Sequence, residues 1–292
     1  GLEAVDVSGA VKLRTSVPEG LDAERRHVQG RLVASHLGGQ LWRVSVRIEG
    51  HPTYPVLLDP SWTSTGSAAS ERTQHTATLL PSGKVLTVGG LMSPSVELYD
   101  SATNVWSTAA SLTNPRRYHT ATLLPSGKVL VAGGGTDSQT AELYDPATDT
   151  WTLTGPLNER RVRHSATLLP SGKVLVVGGY NSLAAMSSAE VYDPTTDTWT
   201  PTGPLVQVRR DHAATLLPSG KVLVVGGTDG VHYLTPLASA DLYDPATNSW
   251  ASTGSMTFAR TYASLSMLTT GKALVVGGGS PIASPMASQA TR

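Results

Sequence analysis

The stretch HTATLLPSGKVLTVGG, residues 75–90, returns as HTATLLPSGKVLVAGG from His119, HSATLLPSGKVLVVGG from His164 and HAATLLPSGKVLVVGG from His212. A fifth, weaker copy, ASLSMLTTGKALVVGG, begins at Ala263. Each copy divides in the same way. HTATLL reads as one short strand, Pro-Ser-Gly as a turn, and KVLVVGG as a second strand rich in β-branched residues, which suit a buried pleated sheet. Repetition at this length fixes architecture before any other feature does.

Past each of the first four glycine doublets stands a Tyr-Asp pair: Tyr99-Asp100, Tyr144-Asp145, Tyr192-Asp193 and Tyr243-Asp244. Six residues past each Asp comes a tryptophan: Trp106, Trp151, Trp199 and Trp250. These complete a third strand, an Asp-led turn and a fourth strand, with the Asp side chain suited to bond the backbone two residues on. Four antiparallel strands in a period of about 45 residues make one blade of a β-propeller.

Glycine doublet, Tyr, Trp and an Arg-x-x-His ahead of the first strand together resemble the kelch repeat, of bacterial type, over residues 72–279. The resemblance implies an all-β kelch propeller of four-stranded antiparallel blades. Five blades are favoured and six stay open. The fifth copy stops after its second strand, so another segment must finish it. Trp62 lies 13 residues before His75, the spacing that also separates Trp106 from His119 and Trp151 from His164. The N-terminal strand around Trp62 is therefore expected to close the ring and remove free sheet edges. On this reading residues 54–292 form the propeller. Residues 1–53, with strand-like segments such as QLWRVSVRIE, form a β-rich extension or part of an extra blade.

Between doublet and Tyr the copies hold 8, 9, 12 and 15 residues, while every other spacing is constant. Only the loop between the second and third strands grows. It emerges on the face where the first strand begins, and loops on a rigid scaffold are where binding residues concentrate. Tyr180 and Asn181 in one long loop, with Asp229, His232 and Tyr233 in the next, are its polar and aromatic ligand-binding candidates. The same face carries Arg72, Arg116, Arg161, Arg209 and Arg260, whose guanidiniums either pack against the Trp or Tyr of an adjacent blade or meet an anion.

His75, His119, His164 and His212 occupy equivalent positions at the start of the innermost strand. They are either blade-to-blade struts or a ring of metal ligands for Zn²⁺ or a similar ion, with Ala263 leaving one side open. Asp211 is the carboxylate beside them and the candidate catalytic base.

Composition narrows the field. With 22 Lys+Arg against 22 Asp+Glu, the chain lacks the basic excess that draws nucleic acid, so none is expected as a partner. No apolar run is long enough to insert in a membrane. Cysteine is absent, which excludes thiol chemistry and, among kelch propellers, the galactose oxidase reaction, since that needs a Tyr cross-linked to Cys. Low lysine content and abundant Ser, Thr and Gly point to an exported protein. The expected function is binding of an anionic small molecule, glycan or protein at the loop face and a His/Arg-lined channel mouth. The alternative is a metal-dependent hydrolase or lyase using the histidine ring. A third possibility is that the propeller is only the scaffold of a larger exported protein.

Overall fold

The computed structural model describes residues 65–135, 139–230, 235–268 and 270–279, and ahead of them the backbone of six strands. The chain divides into two units, Gly1–Thr65 and Gly66–Arg292. In the first, β1 (Leu2–Val5) pairs with β2 (Val11–Thr15). A second sheet has the order β5–β4–β3–β6, from β3 (Glu19–Leu21), β4 (His27–Gly38), β5 (Leu41–Ile48) and β6 (Leu57–Leu58). The strand read at QLWRVSVRIE is β5. Trp62 and the closure expected of it lie outside the described residues.

The second unit is built of four-stranded antiparallel blades. Blade 1 is β7 (Thr76–Leu79), β8 (Lys84–Val88), β9 (Val96–Asp100) and β10 (Val105–Ala109). Blade 2 is β11 (Thr120–Leu123), β12 (Val129–Ala132), β13 (Ala141–Asp145) and β14 (Thr150–Leu153). Blade 3 is β15 (Ser165–Leu168), β16 (Val174–Val177), β17 (Ala189–Asp193) and β18 (Thr198–Pro201). Blade 4 is β19 (Ala213–Leu216), β20 (Val222–Val225), β21 (Ala240–Asp244) and β22 (Ser249–Thr253). A fifth sheet holds only β23 (Thr261–Met267) and β24 (Ala273–Gly279). The first strands of successive blades adjoin, β7 to β11 to β15 to β19 to β23, so they line the axis. Among the described residues the arc is not closed into a ring.

The core lies between blades. Leu86 and Val88 of blade 1 pack against Val129, Val131 and Tyr144 of blade 2, and Leu130 and Ala132 meet Val174, Val176 and Tyr192 of blade 3. The second strand of each of these blades is thus buried on both faces, which is why it reads as an unbroken apolar run. At about 1.5–3 kcal/mol per fully buried aliphatic side chain, these junctions supply most of the drive to stack. Each blade's Tyr and Trp form a tilted ring pair with centroids 4.9–5.1 Å apart.

The glycine doublet follows from the same stacking. Gly134 donates its N–H to the carbonyl of Arg161 in the next blade at 3.0 Å, and Gly179 does so to Arg209 at 2.9 Å. A Cβ on Gly178 would sit 2.5 Å from the Arg209 carbonyl oxygen, so no side chain fits. The Asp-led turns bond themselves, Asp145 accepting the Ala147 N–H at 3.0 Å, as an Asx-turn should.

Candidate functional site

The loop between second and third strands and the loop entering each blade share one face. Val162, on the loop entering blade 3, bridges to Tyr180 in that blade's long loop, and Arg210 bridges likewise to Thr228 in blade 4. The repeated arginines and histidines sit here, and their partners decide between the alternatives that the sequence left open.

The five arginines do not form a free cationic ring. Arg116 lies across the top of its own blade, its Nη2 on Glu142 at 2.8 Å and its Nη1 on the carbonyls of Gly133 and Thr140. Arg161 pairs with Glu190 at 2.8 Å, Arg209 with Asp241 at 3.1 Å and Arg72 with Glu97 at 2.7 Å. The first three guanidiniums are fully buried, and water is replaced there by a carboxylate and backbone oxygens. Burial alone would raise the Glu97 carboxyl; the Ala69 amide and Arg72 outweigh it and hold it below the usual carboxylate range. Arg260 differs, since among the described residues it reaches only the Gly277 carbonyl, at 2.6 Å.

Nor do the histidines converge. His119 Nε2 lies 2.9 Å from the Thr76 hydroxyl of the preceding blade, His164 Nε2 3.0 Å from Thr120, and His212 Nε2 2.8 Å from Ser165. At the next junction both partners are alanine, Ala213 and Ala263, and Met256 Cε takes the place of the imidazole beside the glycine doublet. A residue exchanged together with its hydroxyl partner, and replaced by a thioether filling the same space, is a strut. Desolvation, then the neighbouring Arg116, pushes His119 down to about 3, and burial does the same to His212. His164 falls well below its ordinary value for the same reason. Among the described residues no three His, Asp or Glu side chains are gathered as metal ligands. Of the two roles open to these histidines, the hydrogen bonds of His119, His164 and His212 to the preceding blade are those of a strut.

Asp211 is also engaged. Arg163 Nη1 donates to both its oxygens, at 3.1 and 3.3 Å, and the carboxylate is only 5% exposed. It is the ion-pair partner of Arg163. Asn181 accepts the N–H groups of Leu183 and Ala184, and Asp229 accepts the Thr235 hydroxyl, so both shape their loops. Tyr180 presents its ring to the Arg210 guanidinium, 4.9 Å away. His232 and Tyr233 lie outside the described residues.

Of the residues directly before each histidine position, the sequence reading singled out Asp211 and missed the rest. Gln74, Tyr118, Arg163, Asp211 and Tyr262 all have φ between 54° and 61°, a region side chains rarely adopt. The cause is a hydrogen-bond chain around the axis. Tyr118 donates its N–H to the Gln74 carbonyl, Arg163 to Tyr118, Asp211 to Arg163 and Tyr262 to Asp211, each at 3.0–3.1 Å. Arg163 ties this mouth together: its guanidinium stands 3.9 Å from the Tyr118 ring centroid, pairs with Asp211 and reaches the Tyr262 hydroxyl at 2.5 Å. Burial alone would lower the Arg163 pKa; the Asp211 carboxylate outweighs it and raises it. Burial and Asp211 also raise the Tyr262 phenol. The one signal for these residues was variation: Gln, Tyr, Arg, Asp and Tyr interrupt a segment otherwise repeated almost letter for letter.

The kelch motif matches residues 160–205 and 209–257. The two matched spans carry kelch motifs and hold blades 3 and 4. No curated protein matches the sequence. Solved structures similar to it include one described as a novel fungal alcohol oxidase with catalytic diversity among the AA5 family, in complex with copper. It is 16% identical, with a TM-score of 0.49, and the match covers 90% of this chain and 70% of that one.

Proposed function

We propose that this chain is a protein-binding kelch module and that its partner docks on the face bearing the loops and the axial mouth. The observation that carries this reading is the distribution of exposed apolar side chains. Leu91 and Leu183 in the loops after the second strands, Val206 and Phe258 in the loops entering blades 4 and 5, and Tyr262 at the mouth are all more than half exposed on that face. Aromatic and aliphatic groups beside a few fixed charges have the composition of a protein interface core. Anion capture by the five arginines loses its support, because four of them are spent on carboxylates within their own blades.

The test is affinity capture from an extract of the source cells with wild-type chain, with a Leu183→Ser, Tyr262→Ser double variant, and with Ser126→Arg on the opposite face. The reading expects one partner retained by wild type and Ser126→Arg and lost from the double variant at unchanged melting temperature. Retention by all three chains, or capture of glycan alone, would overturn it.

A further inference from the structure

The fifth blade breaks a pattern that the other four keep. In each complete blade an arginine entering the first strand pairs with a carboxylate on the third strand: Glu97, Glu142, Glu190 or Asp241. Arg260 occupies the equivalent place and keeps the equivalent bond to the glycine carbonyl, Nη1 to Gly277, as Arg116 keeps its bond to Gly133. It has no carboxylate partner among the described residues. Among the described residues the second strand beside it, β24, has β23 on one side and no strand on the other. Leu274 is 45% exposed there, whereas its counterparts Leu130 and Leu175 are at 1% and 0%.

We propose that the free edge of β24 is a strand-docking site for an extended polypeptide segment that carries a carboxylate two residues ahead of a tyrosine. The chain's own third strands define what fits. In blade 2, Glu142 stands opposite Val131, Leu143 opposite Leu130 and Tyr144 opposite Val129. Counting from the glycine doublets, a docked Glu-Leu-Tyr would face Val275, Leu274 and Ala273 in turn. The carboxylate then meets Arg260 as Glu142 meets Arg116, the leucine covers Leu274, and the backbone satisfies the open edge. Strand addition of this kind takes affinity from main-chain hydrogen bonds and specificity from alternate side chains. Charge selects the occupant: an edge-to-edge second copy of β24, ALVVGGG, offers no carboxylate.

The experiment uses the full chain and a fluorescein-labelled synthetic peptide with the sequence of residues 140–153, TAELYDPATDTWTL, read by fluorescence polarisation. Saturable binding is expected. Replacing the peptide's Glu by Gln, or Arg260→Ala in the protein, should weaken it by about tenfold or more, since a desolvated charge pair loses its partner. Arg260→Glu should recover binding to a peptide with Arg in place of that Glu, which separates pairing from misfolding. No binding, binding indifferent to Arg260, or a dimer of the chain that the peptide does not displace would each overturn the proposal.

Discussion

The imidazole of His164 hydrogen-bonds the Thr120 hydroxyl of the preceding blade at 3.0 Å, across the junction between β11 and β15. This contact gives the recurring histidine its role. His164→Ala would remove a buried hydrogen bond and leave a void, so we expect a loss of about 2 kcal/mol, within the range for such deletions. A double-mutant cycle with Thr120→Val should show coupling of at least about 0.5 kcal/mol. Urea unfolding of the four proteins measures it; zero coupling would separate the two side chains energetically.

Acid should loosen the junctions. Unfolded imidazoles bind protons below about pH 6.5. His119 and His212 in the folded chain stay neutral down to about 3, and His164 is also held neutral by its burial. The unfolded state therefore gains protons first, so the stability is fully present above pH 6.5 and drains as the pH falls toward 3. By pH 5.5 His119 and His212 have each withdrawn about 1.4 kcal/mol. The urea midpoint should fall between pH 7.5 and pH 5.5, and a flat profile would contradict the assignment.

Arg161 and Arg260 share a position in the repeat but not a setting. Arg161→Met strands the buried Glu190 carboxylate and should cost about 3–5 kcal/mol. Arg260→Met, losing one bond at a half-buried site, should cost about 1 kcal/mol or less. Melting curves of the two variants compare them directly.

Gly178 and Gly277 make a similar pair. Alanine at Gly178 would meet the Arg209 carbonyl and the His212 ring in the next blade, whereas alanine at Gly277 meets nothing within 4 Å. Both have positive φ, so each pays a backbone cost of about 1 kcal/mol. Only Gly178→Ala should go on to prevent stable folding, visible as loss of soluble, cooperatively melting protein.

Much of the fold was legible because stacking leaves marks that recur: doublet, Tyr-Asp, Trp and a loop of growing length. The roles of the arginines were harder to see. Each finds its carboxylate 25–32 residues away, and an acid two residues before Tyr looks like ordinary strand patterning until the third strand lies beside the entering loop. The histidines were not assigned a direction, because their hydroxyl partners lie 43–47 residues back, on the first strand of the preceding blade. At the mouth, Tyr118, Arg163 and Tyr262 looked like noise in a repeat, and Asp211 was read as a base without its partner Arg163. Their importance comes from the left-handed backbone, which is set by hydrogen bonds between blades and has no local sequence signature.

The central claim is that residues shared by the repeats build the scaffold while those that vary on the loop face bind. Photo-crosslinking tests it most directly, with benzoylphenylalanine placed at position 183 on the loop face or at position 171 in the opposite turn and each chain exposed to source-cell extract. The account predicts a single crosslinked protein from position 183 and none from position 171. Equal crosslinking from the two faces, or a partner seen only from position 171, would contradict it.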